Sequence, residues 1–409
     1  MSAPLATLRP AQVAMARATL TEVIEDGAAA DRALARQIRG QRKMGARDRR
    51  WLSALVFGVL RRSCALRERA GDDVDAWLAA ELADRHGAGD GDLDRLGLPG
   101  APAVRALSAG ARRNWPAWLN DAAEARFDDA RCDALAATLA MQADVDLRVN
   151  RLRADRDSAR RALAADGIEA EPIAWCDDAL RLHARRPLQH TRAWRDGLIE
   201  PQDAGSQLVC ELLAPVAGER IADWCAGAGG KALAMAGRQG DRGEIVALDV
   251  DGRRLSRIAP RAQRLGVTSI RALLLGDHDS EAHFDGVLVD APCSGSGTWR
   301  RHPDQALRSV DLRATAATQL AILRAAAGAV RPGGRLVYAT CSFLPQENDD
   351  VVSAFLRDAP DFTIVPARSV VGDIADDADD PWLRLTPDRH GCDAFCAVRL
   401  QRTATAPAG

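Results

Sequence analysis

Trp51, Leu52, Leu55, Val56, Val59 and Leu60 return at helical spacing, and alanine is abundant through the first 140 residues. Runs of Val, Ile and Thr are missing there, so residues 1–140 are expected to be helical. The acidic, glycine-rich stretch from Gly87 to Asp94 reads as a loop between helices. The pattern changes at about residue 141. VDLRVNRL (Val145 to Leu152) alternates like a strand, and Asp157 to Gly167 reads as a helix ended by glycine. IEAEPIAW and ALRLHA supply further strands, which makes residues 141–200 a small α+β module. From residue 201 onward, strand, glycine loop and helix repeat. RIADWC leads into a Gly-rich turn and a helix, and EIVALDVD leads into the helix GRRLSRIAPRAQRLG. FDGVLVDAPC precedes a long helical stretch, and RLVYATCS follows it. This alternation predicts an α/β domain with a parallel, doubly wound sheet over residues 201–402. Residues 403–409 read as a disordered tail.

Composition narrows the class. Hydrophobic residues make up 47% of the 409 and charged residues 27%, which supports real cores and argues against wholesale disorder. The chain has no long apolar run of membrane-spanning length, so no membrane partner is expected. MSAPLATLRPAQVAMAR lacks the basic start, apolar core and cleavage site of a secretory leader, which points to the cytoplasm. The nine cysteines are scattered and never spaced as CxxC, an argument against a disulfide framework and against a metal site. Net charge is −2, but it is unevenly spread: residues 1–70 carry 14 Arg/Lys against 6 Asp/Glu, and residues 71–100 carry 2 against 8. One basic face near the N-terminus would follow, although solvated helix faces give the same count.

Three segments carry candidate chemistry. DWCAGAGGK (Asp223 to Lys231) follows a strand and opens a helix, and its glycines 227, 229 and 230 let the backbone approach a ligand. Asp249 ends the next strand at the distance from which a carboxylate binds a ribose hydroxyl pair, so an adenosine-bearing ligand is favoured. The loop departs from the pyrophosphate pattern GxGxxG and is not a P-loop, yet a dehydrogenase stays open at this point. In VDAPCSGSGTWRRHPD, Asp290 ends a strand and Pro292 forces the chain out of the sheet, leaving Cys293 in a loop. Arg300, Arg301 and His302 follow, placed for a phosphate backbone. In YATCSFLPQEN, Cys341 again falls at a strand's carboxyl end. An isolated cysteine is usually a small buried hydrophobe, the reading kept for Cys64, Cys132, Cys176 and Cys210. Cys293 and Cys341 instead stand where open α/β sheets hold ligands, on one edge with Asp223, Asp249, Asp290 and the glycine loop.

Together DWCAGAGGK, LVDAPCSGSGTWRRHPD and YATCSFLPQEN resemble the Fmu/Sun/Nop family of RNA cytosine-C5 methyltransferases, over roughly residues 145–400. RDRRWLSALVFGVLRR is similar to part of a NusB-like RNA-binding domain of bacterial members, and VNRL and LIEPQDAGSQL to the family's RRM-like segment. The resemblance implies a Rossmann-like class I methyltransferase fold behind a helical domain and an RRM-like module. It implies S-adenosylmethionine as cofactor and an RNA partner, ribosomal RNA of the small subunit (16S) before tRNA. A monomer is expected.

By the same resemblance Cys341 is the nucleophile that attacks carbon 6 of cytosine, so its environment should lower its pKa. Cys293 helps resolve the adduct, and Asp290 holds the base edge near N3. Cofactor contacts map to Cys225, Ala226, Gly227, Ala228, Gly229, Gly230, Lys231, Asp249, Asp277 and Asp290. Members commonly have proline where this chain has Ala228, and DGFF where it has GCDAFCAVRL; Cys392 and Cys396 read as packing residues. The base must leave its stack to reach the cysteines. Other readings weighed are a DNA cytosine methyltransferase, whose ENV motif is absent here, and an RNA-binding assembly factor without turnover. A nicotinamide oxidoreductase explains neither cysteine.

Overall fold

A computed structural model describes residues 5–41, 44–276, 283–374 and 379–404. The chain divides into two compact units, Met1–Gln142 with Thr298–Val310, and Ala143–Gly297 with Asp311–Gly409.

The first unit is helical. Its core is the apolar stripe found in the sequence: Leu52, Leu55, Val56, Val59 and Leu60 of the helix Ala46–Leu60 are fully buried with Val13, Leu20, Trp77 and Leu78. Gly87 closes the helix Val74–His86 in the left-handed conformation, and a further helix, Asp90–Leu96, begins directly after Ala88 and Gly89. The expected loop from Gly87 to Asp94 therefore shrinks to its first three residues. Asp90 and Asp92 sit in the new helix's first turn, where carboxylates favour the helix N-terminus. Arg113 is nearly buried and ties three helices together, bonding Glu124 (2.6 Å), Asp129 (2.8 Å), Asp133 (2.6 Å) and Asn120 (3.0 Å). Within this unit Trp118 donates to the Arg308 carbonyl (3.1 Å) and meets Trp299 edge-on.

The second unit holds two sheets. The smaller comprises β1 (Val145–Val149), β2 (Glu171–Pro172), β3 (Ala179–Leu182) and β4 (Ile199–Pro201) in the order β2-β3-β1-β4, all antiparallel. The segment IEAEPIAW contributes only the two residues of β2. The larger, eight-stranded sheet comprises β5 (Arg220–Asp223), β6 (Glu244–Asp249), β7 (Ile270–Leu274), β8 (Phe284–Asp290), β9 (Val330–Thr340), β10 (Phe362–Val365), β11 (Leu383–Leu385) and β12 (Phe395–Arg402). Its order is β10-β12-β9-β8-β5-β6-β7, with β11 also on β12.

Strands β5 to β9 pair in parallel, as the alternation predicts, but β12 runs antiparallel to β9 and β10 antiparallel to β12. The sheet is thus Rossmann-like with a mixed edge. Its middle strands are apolar on both faces, as burial under helices on both sides requires: Ile221, Val246, Leu248, Val287, Leu288, Leu336 and Val337 are at most 1% exposed. The stretch read as one helix from Gly252 to Gly266 forms two, Gly252–Leu255 and Ile258–Leu265. Pro260 has no N–H to continue the ladder across the break. Among the described residues no helix is long and apolar enough to cross a membrane.

Asn150, of the VNRL segment, joins the small sheet to the end of the helix Ile258–Leu265. Its amide donates to the carbonyls of Gly197 and Leu265, both at 2.8 Å, and its oxygen accepts from the Leu152 N–H at 3.2 Å. Gly197 (φ 69°) approaches the Arg264 carbonyl so closely that a Cβ there would stand 2.2 Å from it. Replacing Asn150 by alanine strands a buried carbonyl, and an expected loss of roughly 2–3 kcal/mol should appear in urea unfolding followed by circular dichroism. A loss below about 0.5 kcal/mol would mean that this bridge carries no weight.

Candidate active site

Parallel strands put their carboxyl ends on one edge, and the chemistry gathers there. Asp223, Asp249 and Asp290 are the last residues of β5, β6 and β8, and Cys341 follows the last residue of β9. In register, Asp290 pairs with Ala339. The chain leaves β8 through Pro292 and leaves β9 directly after Thr340, and the Cys293 and Cys341 sulfurs meet at 3.3 Å. One thiol donates to the other. The structure therefore brings together the two cysteines that the sequence singled out.

The glycine loop between β5 and the helix Gly230–Arg238 is held from below. The Trp224 and Ala226 N–H groups bond to the carbonyls of Leu288 and Leu248, each at 2.8 Å. Gly227 (φ 56°) donates its N–H to Asp249 Oδ2 at 2.8 Å, and Gly229 (φ 79°) caps the helix in the left-handed conformation. A Cβ on Gly229 would fall 2.6 Å from Ile258, so both conformation and space demand glycine there. Ala228 occupies its turn without a positive φ, the Gly229 N–H bonding back to the Ala226 carbonyl at 2.8 Å. Asp249 is nearly buried. It also accepts from the Asp251 N–H (2.9 Å) and lies 3.3 Å from Arg254, so it organises the glycine loop.

Lys231 is buried, bonds Asp290 Oδ2 at 2.6 Å and lies 5.4 Å from the centre of the Phe395 ring. Burial opposes the ammonium charge, but Asp290 outweighs it, and the Lys231 pKa is raised. The lysine expected to touch a cofactor is thus committed to the carboxylate expected to hold the base. Asp223 is 1% exposed and neither of its oxygens has a hydrogen-bond partner. The Ala232 N–H, in the first turn of the helix, favours its charge without reaching hydrogen-bond geometry. Burial pushes the Asp223 carboxyl up to about 7, despite the pull of Lys231. Burial, helped by the charges of Asp223, Asp290 and Asp249, likewise pushes the Cys225 thiol up to about 12.

Two expectations are corrected. The Cys341 pKa is raised well above the ordinary thiol value, not lowered. The hydrogen bond with Cys293 is the largest cause and burial the next; Lys231 pulls the other way but does not prevail. Arg300 is only 5% exposed, so its guanidinium is not open to a phosphate backbone, whereas His302 is exposed. Asp277 lies outside the described residues.

Sequence reasoning gave no role to Glu347, Asn348 and Gln319. Glu347 is fully buried and accepts from the Ser294 N–H (2.7 Å), the Ser294 hydroxyl (2.5 Å) and Gln319 Nε2 (3.1 Å). Gln319 also donates to the Pro292 carbonyl at 3.0 Å. Asn348 accepts from the Thr340 hydroxyl (2.7 Å) and donates to the carbonyls of Ser342 (3.0 Å) and Leu344 (2.8 Å). For Glu347 and Asn348, their adjacency in the PQEN end of the third motif was the available signal, since two neighbouring polar residues in a buried segment must find partners; Gln319 carried no such signal.

Asp223 gives a test that needs no substrate. A carboxyl raised from 3.8 to about 7 contributes stability that is complete below the unfolded value and is lost as pH rises through the folded one. Asp223→Asn removes that loss. The variant's stability gain over the parent should grow between about pH 4 and 7 and then level off, reaching up to about 4 kcal/mol. Urea titrations at intervals across that range measure it, and a difference independent of pH would refute the assignment.

Residues 210–401 match the family model described as 16S rRNA methyltransferase RsmB/F, and residues 115–189 match the ferredoxin-like domain of the same family. The chain is 33% identical over 402 residues to ribosomal RNA small subunit methyltransferase B of Xanthomonas campestris, covering 88% of this chain and 90% of that protein. It is 35% identical over 264 residues to the probable ribosomal RNA small subunit methyltransferase B of Bacillus subtilis, covering 62% of this chain and 59% of the relative's length. The solved structure of PH0851 superimposes with a TM-score of 0.81 at 22% identity, covering 97% of this chain and 99% of that one, a likeness of fold. With this identity running through nearly its whole length, the chain belongs to the RsmB/F family of 16S rRNA methyltransferases.

Proposed function

We propose that this protein methylates carbon 5 of a cytosine in 16S ribosomal RNA, with S-adenosylmethionine as donor and Cys341 as nucleophile. The observation that carries the reading is the pair of sulfurs 3.3 Å apart at the ends of adjacent strands, beside the Lys231–Asp290 ion pair. A packing cysteine has no need of a second thiol at the ligand-binding edge of a sheet.

The edge suits a cofactor with a cationic amino-acid end and an adenosine end. Asp223 is a buried carboxylate with both oxygens unbonded, facing the glycine loop's helix. Asp249 keeps acceptor capacity for a ribose. Cys225 to Lys231, Asp249 and Asp290 would hold the cofactor, together with Asp277. S-adenosylmethionine, when bound, supplies the methyl group that carbon 5 takes.

The protein's own groups do the rest. A cytosine unstacked from its helix presents carbon 6 to Cys341. The thiolate forms the S–C6 bond, and the electron pair of the C5=C6 bond becomes available at carbon 5. Asp290, held by Lys231, orients the base edge near N3. After transfer, the proton on carbon 5 passes to water, its electron pair restores C5=C6, and the S–C6 bond breaks with its pair returning to Cys341. Cys293, in sulfur contact, serves that release.

Removing Cys293 should block release but not attack. A Cys293→Ala variant incubated with total RNA and cofactor is expected to give a protein–RNA adduct that survives denaturation, and Cys341→Ala to give none. The reverse pattern would exchange the two roles. An absence of adduct in both, with a wild-type protein that leaves RNA unmethylated, would favour a non-catalytic RNA-binding role.

A further inference from the structure

We infer that Glu347 is a positioning residue for product release: it fixes the loop that carries Cys293, and through that loop the contact between the two sulfurs. The inference rests on the roles proposed above for the cysteines.

The two cysteine loops are anchored by different side chains. The Cys341 loop is held by Asn348, whose three side-chain bonds reach Thr340, Ser342 and Leu344 and so stay within the segment that Cys341 belongs to. Glu347, one residue earlier, reaches across. Its carboxylate bonds go outside its own segment, two to Ser294 next to Cys293 and one to Gln319. Gln319 completes the clamp by bonding the carbonyl of Pro292, on the other side of Cys293. Residues 292 and 294 are therefore both fixed through one buried carboxylate. The Glu347 backbone is itself held by the Tyr338 hydroxyl at 2.7 Å, inside β9. A rigid path thus runs from the strand that delivers Cys341 to the loop that delivers Cys293.

Loss of this clamp should free Cys293 and leave Cys341 in place. Glu347→Ala is then expected to behave like Cys293→Ala. Methyl transfer in a single turnover should stay within about threefold of wild type, while repeated turnover falls by about tenfold or more and the adduct accumulates. Geometry separates this from general loss of structure. In Glu347→Gln an amide oxygen at the Oε1 position still accepts from the Ser294 N–H and Gln319. The amide nitrogen at the Oε2 position donates to the Ser294 hydroxyl, which can turn to accept. Glutamine should therefore restore most of the turnover and abolish the excess adduct. Ser294→Ala removes one of the two Ser294 bonds and should show the same pattern more weakly, which keeps the test decisive if Glu347→Ala does not fold.

The measurements are single-turnover and multiple-turnover methylation of 16S RNA, with the denaturation-resistant adduct quantified, run beside Cys293→Ala. Adduct with Cys293→Ala and with Glu347→Ala or Ser294→Ala, but not with Glu347→Gln, supports the inference. Adduct with Cys293→Ala alone overturns it and leaves the proposed function standing. Equal losses in both kinetic regimes without adduct also overturn it. No adduct with Cys293→Ala overturns the covalent reading, and the inference with it.

Discussion

The contact between β8 and β9 is the constraint on which the rest of the site depends. Two adjacent parallel strands end within a residue or two of each other, and a cysteine follows each. Parallel neighbours cannot be joined by a short hairpin, so the sulfurs sit 48 residues apart in sequence and within 3.3 Å in space. Backbone packs closely against the Cys341 loop. The Gly297 N–H bonds the Cys341 carbonyl and the Gly297 carbonyl accepts from Ala394, each at 3.0 Å. A Cβ on Gly297 would stand 2.5 Å from the Ala394 Cβ and 2.9 Å from the Cys341 oxygen. Ala394 leads into β12, so the antiparallel edge of the sheet helps close the cysteine loops and also carries Phe395 against Lys231.

Charge at this edge is arranged with few parts. Three aspartates end three strands, and one lysine is buried among them. A buried unpaired ammonium or carboxylate is costly, and the Lys231–Asp290 pair lowers that cost for both. Asp223 has no comparable bond and is raised accordingly. A buried carboxyl without hydrogen-bond partners is a reserve of unmade bonds, which a cationic or N–H-bearing ligand can use. Asp249 is the opposite case, committing part of its bonding capacity to the glycine loop. The three strand-end carboxylates look alike in sequence and differ in what they have left to offer.

Much of this was legible in the sequence because it is local. A proline two residues past a strand, a glycine loop before a helix and a cysteine after a β-branched or aromatic run each follow from backbone rules. The apolar stripe at Trp51 to Leu60 located the helical core for the same reason. What escaped depends on pairings distant in the chain. The direction of β12 follows from its partner β9, not from its own pattern. The burial of Arg300 follows from tertiary packing, and arginine beside a glycine-rich loop reads equally well as a phosphate contact. Glu347 finds its partners 53 and 28 residues away, at Ser294 and Gln319. Pro260 was visible, and weighing it would have split the helix that the periodicity joined.

The state of Cys341 has a consequence for the order of events. A nucleophilic thiol is usually activated by a positive neighbour, and Lys231 does act in that direction. The hydrogen bond with Cys293 and burial outweigh it, so the resting protein holds this sulfur as a thiol. Both causes lie in the neighbourhood rather than in Cys341 itself. A base reaching the sulfurs would separate or reorient the thiol pair, and Asp290, whose charge also opposes the thiolate, would become engaged with that base. Each change removes a cause of the raised pKa. Reactivity would then appear on substrate binding, and the paired thiols would stay inert toward other electrophiles until RNA arrives. The clamp that holds the sulfurs together thus has two uses on the proposed reading: it keeps the resting nucleophile protonated, and it returns Cys293 to the adduct for release.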